Sequence, residues 1–310
     1  MIEPLLSIIT ITYNQEQFIA KTIESVLMQK VDFPIEYIIA EDCSTDGTLA
    51  ICKDYAEKYP DIIRIITSEK NVGGIENERR AMLAAKGKYV ALCEGDDYWT
   101  DPLKLQRQVG FLESHPDYSV TFHRYKIHYL NDDRWVNDDI GCLFEGKDVE
   151  GVEINTYMFL HRWITQHLTM VYRKSAFDTN LIDRYKYYRD SHLIYHLLEA
   201  GKGYIFAFDG GVYNKTGDGI YSKLSMYDTQ KVQIAVFEEL WKQNNDNRVR
   251  EMYAMNIRYL IETSKHDKEH KRELAKYAWK LFKTDKKIKP LFKLFLEFYK
   301  IDEKGYNCKK

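Results

Sequence analysis

The chain has 310 residues, 45% of them hydrophobic, and 45 Lys and Arg against 47 Asp and Glu leave a formal net charge of −2. This is enough to bury a full core, in one domain of about 200–250 residues plus an appendage, and the near-neutral balance names no partner; no nucleic acid is expected. There is no 18-residue apolar run and no basic segment followed by an apolar stretch at the start, so neither a transmembrane helix nor a signal peptide is read and a cytoplasmic protein is expected.

In chain order, Leu5 to Thr12 is a β-branched run of strand length, and Phe18, Ile19, Thr22, Ile23, Val26 and Leu27 then recur at helical spacing. Ile35 to Glu41 reads as a second strand, Asp42 to Gly47 as its loop, and Thr48 to Tyr59 as a helix stopped by Pro60. A third strand over Ile62–Thr67 leads through Asn71-Val-Gly-Gly74 into a helix ending near Ala85, and Tyr89–Cys93 is a fourth strand. Strands alternating with helices of this length predict a parallel sheet, whose ligands sit outside the carboxyl ends of the strands. Tyr13, Asp42, Asn71 and Asp96 all fall there. Further on, the pattern predicts a helix from Pro102 to Ser114, strands over 118–123, 125–130, 168–173 and 204–208, and a helix over 190–199. Asn131 to Glu153 shows no organisation, and Gly210 to Ser222 reads as a Gly-rich loop. Four helices (228–243, 248–264, 267–283 and 287–300) follow a boundary near residue 225, giving domains 1–225 and 226–310.

The fourth strand runs into three carboxylates, Glu94, Asp96 and Asp97. Two like charges at ~4 Å repel by about 4 kcal/mol at an effective dielectric of ~20, so such a cluster calls for a cation, a proton or heavy solvation. Oxygen-only ligands suit Mg2+ or Mn2+. The competing reading is an acidic turn before a helix started by Asp101-Pro102. No G-x-G-x-x-G follows the first strand and no G-x-x-x-x-G-K-[ST] occurs, which disfavours dinucleotide dehydrogenases and P-loop NTPases. The five cysteines form no C-x-x-C pair, and His192 and His196, one helical turn apart, suit a satisfied pair better than a metal site.

Taken in order, Ser7-Ile-Ile-Thr-Ile-Thr-Tyr-Asn14, Glu41-Asp-Cys-Ser-Thr-Asp-Gly-Thr48, Asn71-x-Gly73 and Gly87-Lys-Tyr-Val-Ala-Leu-Cys-Glu-Gly-Asp-Asp97 resemble the family 2 inverting glycosyltransferases. The resemblance is strong over residues 5–112, moderate to 222 and ends there. It implies a GT-A fold of the α/β class, a mainly parallel sheet flanked by helices, here with an all-helical C-terminal extension. It further implies a nucleotide-sugar donor, with UDP the favoured carrier, an acceptor hydroxyl on a glycan or glycolipid, and Mn2+ or Mg2+ as cofactor.

By the same resemblance Tyr13 and Asp42 hold the base, Asn71, Gly73, Asn77 and Glu94 join them at the donor, and Asp96 with Asp97 hold the metal. Asp190 is the catalytic base, with His167 and Asp183 as rivals; Trp99 and His167 are acceptor-side candidates. Three departures stand out: Glu94 where the family's D-x-D often begins with Asp, Asn77-Glu78-Arg79 in place of A-R-N, and Tyr213-Asn-Lys-Thr216 in place of Y-R-x-H. The loop 217–222 is read as a lid over the donor. Two other classes remain open, a metal-dependent nucleotidyl- or phosphotransferase and a non-catalytic sugar-nucleotide binding protein. Residues 265–310 carry fifteen basic against seven acidic residues, and 286–300 mixes Leu and Phe with Lys. This suits either peripheral contact at the inner membrane face or helix packing, including a homo-oligomer.

Overall fold

A computed structural model describes residues 3–162, 166–217, 224–266 and 269–284. The chain divides into two compact units, Met1–Gly219 and Ile220–Lys310.

In the first unit, β1 (Leu6–Thr12), α1 (Ile19–Leu27), β2 (Ile35–Glu41), α2 (Thr48–Lys58), β3 (Ile63–Ile66), α3 (Gly74–Ala84) and β4 (Tyr89–Leu92) follow the predicted alternation. The four strands are parallel in the order β3-β2-β1-β4. β1, β2 and β4 are covered on both faces, which is why Leu6, Ile8, Ile9, Ile38, Ile39 and Ala91 are all buried and no polar alternation is seen. β5 (Tyr98–Trp99) and α4 (Lys104–Ser114) come next, then β6 (Tyr118–Tyr129), one long strand where two short ones were expected.

The stretch without a sequence pattern is organised by pairing to neighbours rather than by its own periodicity. β7 (Arg134–Asn137) folds back on β6, β8 (Gly151–Ile154) pairs with a later strand, and α5 (Thr156–His161) starts at Asn155, whose side chain accepts the Met158 N–H at 3.0 Å. β9 (Val171–Arg173) lies antiparallel between β4 and β6, and α6 (Asp190–Ala200) follows.

The main correction concerns β10 (Lys202–Lys215), a 14-residue strand covering the start of the expected Gly-rich loop. It runs parallel to β6, with register shifts on either side of Asp209, while Gly211 and Val212 also pair with β5. The glycines at 210 and 211 mark tight packing here, not a loop. A Cβ on Gly210 would lie 2.7 Å from Nδ1 of the fully buried His123 ring, and one on Gly211 would collide with Leu168. Residues 218–223, most of the expected lid, lie outside the described residues.

The second unit contains α7 (Met226–Asn244), α8 (Asn247–Ser264) and α9 (Lys271–Thr284) around Ile257, Leu260, Leu274 and Leu281. Ser225 caps α7 by accepting the Asp228 N–H at 3.0 Å, Asp246 caps α8 by accepting that of Arg248 at 2.8 Å, and Asn245 joins the two with φ 52°. The expected helix 287–300, on which the membrane expectation rested, lies outside the described residues. Among the described residues no helix is long and apolar enough to cross a membrane.

Two glycines test this packing in opposite directions. Gly210→Ala should lower stability by about 1–3 kcal/mol in urea or thermal melts, because the buried His123 ring has to move. Gly110→Ala, on the exposed side of α4 with nothing within 4 Å of the new methyl group, should raise it by about 0.5–1 kcal/mol. Equal effects would mean that β10 is not packed against β6 in this way.

Candidate active site

The chain leaves β4 through a turn, Glu94-Gly-Asp-Asp97, closed by the Asp97 N–H on the Glu94 carbonyl at 3.0 Å. Three elements pin it. The Gly95 N–H donates to Ile11 of β1 at 3.0 Å, and a Cβ at this glycine would meet Thr12 Oγ1 at 2.7 Å, so no side chain fits. Thr22 of α1 places its hydroxyl 2.9 Å from the Gly95 carbonyl and 2.7 Å from that of Asp97. From β10, Asn214 donates its N–H to Asp97 Oδ1 at 2.8 Å and its amide to the Asp96 carbonyl at 2.6 Å.

This clamp separates the two aspartates. Asp96, near the apex, is partly exposed, with the Gln15 side chain as a neighbour. Asp97 is wholly buried, one oxygen on Asn214 and Oδ2 without a hydrogen-bond partner among the described residues. Of the two aspartates expected on the metal, Asp97 is buried in the turn and Asp96 is the one left partly exposed.

Crowding marks the whole cluster. Burial, reinforced by the Glu94 charge, pushes the Asp96 carboxyl up to about 7, and burial with the charges of Asp96 and Glu94 raises Asp97 as well. Burial also opposes ionisation of Glu94, but His167, with Nδ1 3.7 Å from Glu94 Oε1, outweighs it and holds that carboxyl below its usual range. Burial works against the His167 cation too, yet Glu94, Glu78 and Asp190 together lift it to about 10. The imidazolium therefore faces three acids. Tyr213 of β10 is pushed up first by burial and then by Glu94, Asp97, Asp96 and Asp190.

Asp190 opens α6, but Arg189 occupies the N-cap position, so capping does not account for the acid. Burial raises its carboxyl, the His167 charge pulls it down, and the Glu94 charge raises it again. Asp183, a rival base, instead pairs with Arg79 at 3.3 Å. These residues suit a divalent cation that takes one or two carboxylates and completes its shell with water and phosphate oxygens. Among the described residues, no three His, Cys, Asp or Glu side chains form a ready-made cage.

The other expected donor contacts gather at the ends of β1, β2 and β3. Tyr13 is 42% exposed, suited to stacking. Asp42 is buried and accepts the N–H groups of Val72 and Gly73, both at 2.8 Å, and the Ser68 hydroxyl at 3.1 Å. Asn71 Oδ1 accepts the same Gly73 N–H at 2.9 Å, and Gly73 has φ 87°. Asp42, Asn71 and Gly73 are therefore one structure, a loop held by a carboxylate. Asn77 is 1% exposed and gives its amide to the Ala40 carbonyl at 2.7 Å, so it braces β2 and does not stand open. Sequence reasoning missed Gln15, Thr22, Tyr213 and Asn214. The last two lie in the Y-R-x-H replacement and could have been suspected there; Thr22 was read only as part of a helical stripe.

The family model for glycosyl transferase family 2 matches residues 7–181. An uncharacterized protein of Mycobacterium tuberculosis is 47% identical over 124 residues, 40% of this chain and 36% of that one. The putative glycosyltransferase EpsE of Bacillus subtilis is 40% identical over 117 residues, 38% of this chain and 41% of EpsE. The chain thus spans well under half the length of these curated relatives. Among solved structures, TarS of S. aureus in complex with UDP-GlcNAc superposes with a TM-score of 0.66 at 18% identity, over 90% of this chain and 81% of that one. At that identity the likeness establishes the fold, the GT-A arrangement.

Trp99, expected on the acceptor side, is a core residue. It is 1% exposed and its indole N–H is on the Leu168 carbonyl at 2.8 Å, because β5 pairs with β10 at Gly211 and the ring joins the core cluster. Above its ring, at 3.9 Å, sits the ammonium of Lys104, fully buried and without a hydrogen-bond partner among the described residues. Burial lowers Lys104 to about 7. Below that pH the lysine is charged in both folded and unfolded states and the folded state carries the whole desolvation cost; between about 7 and 10.5 the unfolded chain binds more protons, so the cost fades as pH rises. Lys104→Met should therefore stabilise the protein by about 1–3 kcal/mol at pH 6, with the advantage shrinking toward pH 10. Urea melts of both proteins across that range check the sign, and a destabilised variant at pH 6 would show that Lys104 has a bonded partner.

Proposed function

The chain belongs to glycosyl transferase family 2, and on that footing we propose that it transfers a sugar from a nucleotide-diphosphate sugar to an acceptor hydroxyl with inversion at C1. The observation that carries this reading is the joint placement of Asp96, Glu94, His167 and Asp190 around the end of β4, where parallel α/β sheets bind their ligands. A uridine carrier is favoured by the UDP-GlcNAc complex of TarS. The acceptor is taken to be a growing surface polysaccharide or a glycolipid.

In this reading the Tyr13 ring and the loop held by Asp42, with Asn71 and Gly73, receive the nucleoside, and Glu94 contacts the donor. Asp96 is the residue to hold Mn2+ or Mg2+ with the diphosphate; when bound, such an ion offsets the charge of the leaving group. Asp190 accepts the proton of the acceptor hydroxyl as its oxygen bonds to C1 and the C1–O bond to the diphosphate breaks. His167 offsets part of the negative charge of Glu94 and Asp190, against the burial that raises the Asp190 carboxyl. Holding both substrates in line supplies much of the rest. A phosphoaspartate route is disfavoured because β1 ends at Tyr13-Asn14 and offers no aspartate nucleophile.

Incubation with a panel of nucleotide sugars and Mn2+, read by mass spectrometry, should give nucleoside diphosphate and a glycosylated acceptor. Sugar phosphate or nucleoside monophosphate would point to the phosphotransferase class, and no turnover with any donor to a binding protein. Asp96→Ala or EDTA should abolish transfer in a protein that still folds. Full activity in EDTA would end the metal reading.

Asp190→Asn keeps the side-chain shape but cannot take a proton. Transfer should fall by about 100-fold or more while donor binding survives. Near-normal transfer by this variant, or a product that retains the donor's anomeric configuration, would remove Asp190 as base and inversion with it.

A further inference from the structure

Behind the acidic turn, between β1, β4 and α3, lies a cavity of about 10 Å3 walled by Ile9, Ile11 and Leu92 and by Glu78, Glu94 and His167. Two of these polar side chains are more than nine-tenths buried, Glu78 at 7% exposure and His167 at 9%. Each has an atom without a hydrogen-bond partner among the described residues, Glu78 Oε1 and His167 Nε2. Both residues line the same cavity, and buried polar atoms of native proteins are mostly bonded to protein or to ordered water. The space is at the lower limit for one water, which needs roughly 10–15 Å3 for its centre, and in this mainly apolar cavity Glu78 and His167 are the polar partners available to it.

We propose that this cavity holds one ordered water molecule, which accepts from His167 Nε2 and donates to Glu78 Oε1, so that Glu78 is a positioning residue for Glu94 acting through His167. The donor and acceptor inventory closes. The other imidazole nitrogen, Nδ1, already faces Glu94 Oε1 at 3.7 Å. An imidazolium has two N–H donors and no acceptor, one directed to Glu94 and one to the water, whose own proton then meets the carboxylate oxygen of Glu78. The surrounding acids favour the His167 cation, raised to about 10, while burial lifts Glu78 to about 7, so its ionised form meets the water fully above that pH.

The assignment also explains the Asn77-Glu78-Arg79 departure. Asn77 ties α3 to β2 through the Ala40 carbonyl and Arg79 pairs with Asp183, which leaves Glu78 as the residue of the three directed at the cavity. It fixes the imidazole from the side opposite Glu94, so the ring cannot turn away and leave Glu94 uncompensated. The part of the proposal that concerns the donor rests on the sugar-transfer reading; the water itself does not.

A crystal structure of the full chain without donor, at a resolution that shows ordered solvent, should contain a water within hydrogen-bond distance of both atoms. An empty cavity, or a direct Glu78–His167 bond, would overturn the proposal. Glu78→Gln retains an oxygen that can accept from the water, and Glu78→Leu does not. Binding of UDP with Mn2+, measured by titration calorimetry, should weaken about 10-fold in the leucine variant and less than about 3-fold in the glutamine variant. Equal weakening in both would also overturn it, and if the leucine variant does not fold, the crystal structure decides alone. A dry cavity leaves sugar transfer standing, and a protein that transfers no sugar leaves the water observable.

Discussion

Negative charge crowded into a buried turn is the constraint on which the rest of the first unit depends. Burial and then the Glu94 charge lift Asp96 to about 7, and Tyr213, pushed up first by burial, is raised further by Glu94, Asp97, Asp96 and Asp190. Such a cluster is stable only if its backbone is held and its charge is met from outside. The fold does the first through β1, α1 and β10, which together take up the carbonyls and N–H groups around the turn. It does part of the second with His167 and leaves the rest at the partly exposed Asp96. The proposed binding of a cation and a diphosphate would complete a site that is incomplete by itself in this way.

The same division of labour governs the nucleotide end. Asp42 could have been a free acid awaiting a ligand. Instead its two oxygens organise the loop that carries Asn71 and Gly73. The loop needs this because Gly73 stands at φ 87° with its N–H aimed at the carboxylate, a conformation few other residues adopt. The proposed contact of Asp42 with a base would therefore come from oxygen lone pairs left over after the loop is built. Exposed Tyr13 is the more open element of that surface.

How much of this was legible in the sequence depended on whether a residue's partner lies close along the chain. β1 to β4 and their helices were readable because each strand is a continuous apolar run and each helix has its own stripe and stop. The segment 131–153 was not, since β7 and β8 exist only through pairing with β6 and β10 and carry no period of their own. Gly210 and Gly211 misled for the same reason: a glycine required by a neighbouring ring or leucine looks, in sequence, like one required by a turn. At the site, acids at strand ends were visible, while their braces were not. Thr22 reads as one more residue of a helical stripe, and Asn214 becomes meaningful only when β10 is laid beside the turn. Trp99 failed in the opposite sense, an aromatic next to the acids that the short strand β5 takes into the core.

The three departures from the family pattern can be read together on this basis. Asn214, in the segment that replaces Y-R-x-H, binds the Asp96 carbonyl and the Asp97 carboxylate instead of presenting a cation or an imidazole. The imidazole beside the turn comes from His167, ahead of β9, and meets Glu94, whose extra methylene relative to aspartate lets its carboxylate reach sideways. Glu78, where the usual A-R-N would place a cation, supplies an additional acid facing that imidazole. Positive charge next to the turn has thus moved from β10 and α3 to a single histidine, held on one side by Glu94 and, as proposed, on the other by Glu78 through water. The three together set one buried histidine cation against the acids of the turn, and the charge it does not meet is what the proposed ion at Asp96 would offset.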